Sequence, residues 1–179
     1  VDNSIAANVT TISGNATIVS NRATSNAGIT HTLGTLSIGA FELDLTAGLN
    51  VASGTAGLTF GATTFTGAPI FDVGASANLT LGAITNASNF ATIKQGAGIL
   101  TIGGANASTG TLTINSGTAT LNATGRWTGD VTVASGGTLQ NTGAGTNGLI
   151  GNLIVLSGGV FDNQQTGAET IAAFNLEGT

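Results

Sequence analysis

The sequence predicts an all-β fold of the parallel β-solenoid kind, and three observations carry that expectation. A phrase recurs: INSGTATLN at 114–122, VASGGTLQN at 133–141 and VLSGGVFDN at 155–163, with Ser-Gly pairs at 116, 135 and 157. Short apolar–polar alternations run along the chain, which is the period of a strand and not of a helix. Between them stand Ser-Gly, Gly-Gly, Asn-Ala and Thr-Gly, the residues of tight turns. Self-similarity at about 20 residues is a mark of stacked repeats. An antiparallel sandwich gives no reason for the same words to recur at a nearly fixed step. A solenoid does, because equivalent positions stack about 4.8 Å apart and each coil needs the same inward residue and the same corner. At roughly 20–22 residues per coil, residues 1–179 make one domain of about eight coils.

The alternation is clearest in FELDLTA (41–47), where Phe41, Leu43 and Leu45 face one way and Glu42 and Asp44 the other. VTTIS (9–13), LTF (58–60), NLTLGAI (78–84), ILTI (99–102), TLTI (111–114), DVTV (130–133) and NLIV (152–155) repeat it. Pro69, the single proline, opens the strand-like PIFDV, where a missing N–H costs least. Helical stripes with caps are missing, and Gly, Thr, Asn and Ser would weaken any helix.

Composition narrows the functional classes. Only 6% of residues are charged, yet 41% are hydrophobic, so the chain is too apolar for disorder. No run approaches the ~18 apolar residues of a membrane helix. One Trp and no Tyr argue against the aromatic girdles of a transmembrane barrel. Arg22, Lys94 and Arg126 are the only basic residues in a chain of net charge −5, which argues against nucleic acid and anionic membrane surfaces. The absence of Cys removes disulfide and thiol chemistry. With no Met at its start, the chain reads as a processed product or a piece of something longer.

Residues 94–122 read KQGAGILTIGGANASTGTLTINSGTATLN. This resembles the autotransporter-associated β-strand repeat, also called the passenger-associated transport repeat: Lys-x-Gly-x-Gly-x-Leu-Thr-Leu-x-Gly-x-Asn, an aromatic, Thr-Gly, then a strand and Ala/Ser-Gly-Thr-Leu. Lys94, Gly96, Gly98, Leu100, Thr101, Ile102, Gly104, Asn106, Thr109, Gly110, Ile114, Ser116, Gly117 and Thr118 fall on the pattern in order. Ser108 stands where the aromatic belongs; Trp127 restores it in the next copy, and Leu149 replaces it in the third. The clear repeats span 94–163, and 1–93 are degenerate coils that match in texture only. The resemblance implies a right-handed parallel β-helix on the exterior of a bacterial cell, a scaffold and not an enzyme.

Candidates for chemistry are few. Glu42 and Asp44 lie about 6.5–7 Å apart along one strand face, within the span glycosidases use; the solvated side of an amphipathic strand explains them as well. His31, the only histidine, cannot supply the several ligands of a zinc-type site in a chain without Cys, so it reads as a strand or corner residue. Asp130 and Asp162 are isolated carboxylates where a hard cation wants six or more oxygens. Gly96-x-Gly98 lacks the third glycine and helix of a phosphate cradle, and reads as corner glycines. Trp127, beside Arg126, is placed for sugar stacking or for packing at a coil corner, and its repeat position favours packing. Six sequons (Asn8, Asn15, Asn78, Asn86, Asn106, Asn122) scarcely exceed chance in so Ser- and Thr-rich a chain.

The expectation is therefore a non-catalytic extracellular β-solenoid on the bacterial cell surface: a stalk, an adhesin passenger or a filament subunit. It has no catalytic, cofactor-binding or metal residues and needs no cofactor. No cap is visible at either end, so head-to-tail self-association, or continuation of a longer chain, is expected. A carbohydrate-binding or polysaccharide-degrading β-helix is the alternative, with cell-surface or glycan contacts; in either case the chain binds no nucleic acid and does not span a membrane. Variable function is expected in the loops between coils, such as 141–148.

Overall fold

A computed structural model describes residues 3–4, 8–104, 109–122, 126–142, 149, 151–167 and 169–178. The described chain is all strand and turn, wound as a parallel β-solenoid. Two long sheets, I and II, hold eight strands each; sheet III holds four and sheet IV two. β1 (Asn3–Ser4) lies on sheet I. β2 (Thr10–Ile12), β3 (Ala16–Ser20), β4 (Asn26–Ala27) and β5 (Thr30–Thr32) follow on sheets III, II, IV and I. β6 (Leu36–Ile38), β7 (Glu42–Ala47), β8 (Val51–Ser53) and β9 (Ala56–Phe60) repeat that order. β10 (Thr63–Phe65), β11 (Ile70–Val73) and β12 (Ala77–Leu81) omit sheet IV, as do β13 (Ile84–Thr85), β14 (Thr92–Gln95) and β15 (Ile99–Ile102). β16 (Leu112–Ile114), β17 (Gly117–Leu121), β18 (Val131–Val133), β19 (Gly137–Asn141), β20 (Leu153–Leu156), β21 (Val160–Asn163) and β22 (Phe174–Glu177) then alternate between sheets II and I. Every ladder among these strands is parallel.

The register corrects the coil length for the N-terminal half. His31 pairs with Leu58 and Leu43 with Phe71, steps of 27 and 28 residues, not 20–22. The extra residues are those of sheet IV, with the turn that leads to it, inserted between sheets II and I. Once that segment is dropped the step falls: Leu58 pairs with Leu79, Leu79 with Leu100, and Leu100 with Ala119.

The core is a set of columns. On sheet I, Leu58, Leu79, Leu100, Ala119 and Leu139 stack in register, each at most 2% exposed. On sheet II, Leu43, Phe71, Ile114, Val133 and Val155 also stack in register and are buried, with Lys94 between Phe71 and Ile114. The strands are too short to hold a hairpin alone, so burial of these columns against each other drives the fold.

The recurring Ser-Gly phrase is the corner from sheet II to sheet I. Gly54, Ser76, Gly96, Gly117, Gly136 and Gly158 all have positive φ, and each lies at or just before a strand of sheet I. That left-handed residue lets the chain reverse its strand direction within two or three residues. Two positions separate conformation from crowding. A Cβ on Gly136 (φ +84) meets nothing within 4 Å, whereas one on Gly117 (φ +65) collides with the carbonyls of Gly96 and Gly98. Gly136→Ala is expected to cost about 1–2 kcal/mol, the left-handed penalty alone. Gly117→Ala should cost clearly more, because the colliding atoms are backbone. Urea unfolding of the two variants side by side checks the order.

Two acidic residues of successive coils share one line. Asp44 pairs directly with Asp72 on the next coil, so two carboxylates stack on the outward face of sheet II.

Candidate functional site

Three places hold the chain's polar chemistry, and the columns decide each of them. The first is the outward face of sheet II, where alternation turns Glu42, Asp44, Asp72 and Gln95 away from the core. Thr17, Asp44, Asp72 and Gln95 form one column in register. Thr17 Oγ1 donates to Asp44 Oδ2 at 3.2 Å, and Gln95 Nε2 donates to Asp72 Oδ2 at 3.2 Å and Glu42 Oε2 at 3.5 Å. A Thr at one end and a Gln at the other thus offset the repulsion of stacked carboxylates. Asp72 was missed because Asp44 lies 28 residues before it, a step longer than the phrase of the C-terminal repeats. Among the described residues, no group of three or more His, Cys, Asp or Glu side chains is placed to hold a metal ion.

The second place is inside. Lys94 is fully buried, because T-I-K-Q in β14 puts it on the same inward phase as Thr92. Its Nζ donates to the carbonyls of Gln95 (2.7 Å), Gly96 (2.7 Å) and Ser116 (3.1 Å). An ammonium has three donors, and all three are used at the corner where two coils meet. Loss of water around it holds its pKa down to about 8, from an ordinary 10.5, while the nearby Asp72 carboxylate pulls the other way. The sequence shows Lys94 as a scarce basic residue and as the first position of the repeat pattern; the signal for its burial is the alternation itself.

Trp127 is the largest fully buried side chain. It forms a parallel bridge with Leu149, so the aromatic position of one repeat stacks on the Leu of the next. Indole Nε1 donates to the Gly110 carbonyl at 2.9 Å. The ring has no free face for a sugar, which removes the stacking role, while Arg126 beside it is exposed. Gly129 and Gly151 sit against the carbonyls of Gly110 and Gly129 so closely that no Cβ fits, which explains the glycine that follows this position in each repeat.

The third place is the two ends. At the N-terminal end a cleft of about 420 Å³ is lined by Ile18, Val19, Ser20, His31, Leu33 and Leu58. His31 of β5 lies in the Leu58 column, between Leu58 and Asn3 of β1, its Nε2 2.9 Å from the Asn21 carbonyl oxygen. At the C-terminal end the column Leu121, Asn141, Asn163 turns from apolar to polar. Glu169 closes it: Oε2 accepts from Asn141 Nδ2 at 3.1 Å and Oε1 from the Leu149 N–H at 2.6 Å. This acidic plug corrects the expectation of an end without any charged cap. It covers only part of the end. Phe174 and Leu176 of β22, continuing the Leu153 and Val155 columns, are 49% and 69% exposed.

The remaining candidates are structural in place. Asp130 Oδ1 accepts the Asn152 N–H at 2.9 Å, and Asp162 Oδ2 accepts from Gln140 (3.0 Å) and Gln164 (2.7 Å). Gly96 is a positive-φ corner, and a Cβ on Gly98 would meet the Gly74 carbonyl. Of the sequons, Asn8 and Asn15 are exposed and Asn78 and Asn122 half-buried, while Asn86 is buried with its amide bonded to Phe90 N and O. Asn106, Ser108 and most of the 141–148 loop lie outside the described residues, as do most of the first seven. No helix among the described residues is long and apolar enough to cross a membrane. No protein family, curated protein or solved structure matches the chain.

Proposed function

We propose that the chain is a non-catalytic structural β-solenoid of the bacterial cell exterior, a stalk, adhesin passenger or filament subunit that extends by stacking coil on coil. One observation carries this reading: the core columns run the length of the rod and emerge at β22 with Phe174 and Leu176 still exposed. A parallel sheet whose last strand lacks a partner offers unpaired N–H and C=O groups to another strand. That strand comes from a second copy or from further coils of a longer polypeptide. The resemblance to autotransporter-associated repeats supports the exterior location. Electron microscopy of the purified 179-residue chain tests the reading: filaments or rods of varied length are expected, and uniform 17.3 kDa particles would overturn it.

A second reading, a polysaccharide-acting β-helix, is favoured by Glu42, Asp44 and Asp72 on one outward face. Lys94, the only basic residue next to that column in sequence, faces the core instead. Turnover of a pectin-like glycan, lost in Glu42→Ala or Asp44→Ala, would establish this reading over the first.

A further inference from the structure

We infer that the C-terminal strand β22 of one copy docks on β3 of a second copy, head to tail, so that Leu176 stacks on Ala16 and Glu177 on Thr17. The inference rests on the self-associating rod proposed above and fixes its contact. The register follows from the columns. Ala16, Leu43, Phe71, Lys94, Ile114, Val133, Val155 and Leu176 occupy one line, and Thr17 heads the outward line beside it. A copy added in the same sense continues both lines by one more step.

Three features choose a second copy in this orientation. Every ladder of the rod is parallel, and only head-to-tail stacking sets sheet I on sheet I and sheet II on sheet II with that polarity. Tail-to-tail contact would make the pairs antiparallel. Charge points the same way. The last coil carries Asp162, Glu169 and Glu177, so two tails would oppose carboxylate to carboxylate, while Arg22 is the only Lys, Arg, Asp or Glu described before residue 42. The surfaces also match in kind: Phe174 and Leu176 project from the tail, and the head opens in the apolar cleft of Ile18, Leu33 and Leu58. A coil of about 20 residues stacked on another is comparable to the 20–30 residues a side of a stable protein interface.

The chain has no cysteine, which makes a site-directed test direct. Thr17→Cys and Glu177→Cys place thiols on the outward line, where neither disturbs the core. With a short thiol cross-linker, the two variants mixed should give a covalent dimer, the double variant a ladder of covalent oligomers, and either variant alone only monomer on a denaturing gel. Cross-linking of Glu177→Cys to itself would overturn the orientation. Filaments seen by microscopy with no cross-link in the mixture would overturn this contact and leave the rod reading standing. Monodisperse particles with no cross-link would overturn both.

Discussion

Trp127→Ala is expected to lose about 4 kcal/mol of stability, the middle of the range for deleting a buried aromatic side chain. The ring is fully enclosed, and its removal also leaves the Gly110 carbonyl without its 2.9 Å donor. The neighbouring coils cannot close the void easily, since Gly129 already lies against the Gly110 backbone with no room for a Cβ. Trp127→Phe keeps most of the volume and loses the hydrogen bond, so about 1–2 kcal/mol is expected there. Urea unfolding followed by circular dichroism measures both. A loss below about 1 kcal/mol in Trp127→Ala would contradict the packing role assigned to the aromatic position of the repeat.

Lys94→Met is expected to lower stability at pH 7 by on the order of 3 kcal/mol, because the carbonyls of Gln95, Gly96 and Ser116 lose their donor at a buried corner. Its pH dependence is the more specific signature. With its pKa held down to about 8 in the fold, the side chain gives up its proton there, while in the unfolded chain it keeps the proton to about 10.5. Between those values the unfolded state binds more protons, so wild-type stability should rise with pH from about 8 to 10.5. No other side chain titrates in this window, since the chain has one Lys, no Tyr and no Cys. Lys94→Met should be flat across it. A wild-type profile that stays flat to about pH 10.5 and falls above it would mean that the three carbonyls hold the ammonium more strongly than burial disfavours it.

Much of the scaffold was legible because a solenoid repeats its local rules. The phrases LTI, VTV and LIV are strands with Leu112, Ile114, Val131, Val133, Leu153 and Val155 inward, and Ser-Gly is the corner. Where the repeats are degenerate the reading failed in a definite way. The longer N-terminal coils were hidden because sheet IV has only two short strands, with little apolar patterning. That error in period also hid the stacking of Asp44 on Asp72. Two charged residues hold inward places that residue type alone does not suggest: β14 alternation puts Lys94 inside, and the polar Asn141, on an inward phase, takes Glu169 as its partner. Trp127 was read correctly by position in the repeat and not by its chemistry.

The two sides of the rod have unequal freedom, and this governs how such a chain can change over time. From β11 onward the corner from sheet II to sheet I spans only two or three residues, such as Gly74 to Ser76 or Asn115 to Ser116, with one left-handed residue in it or directly after it. An insertion there would shift every strand that follows out of its column. The return from sheet I to sheet II runs longer and differs in length, from 82–91 to 142–152, while the strands on both sides keep their register. One edge of the rod is therefore a fixed spine, and the opposite edge is where new sequence can be added, coil by coil, without disturbing the load-carrying ladders.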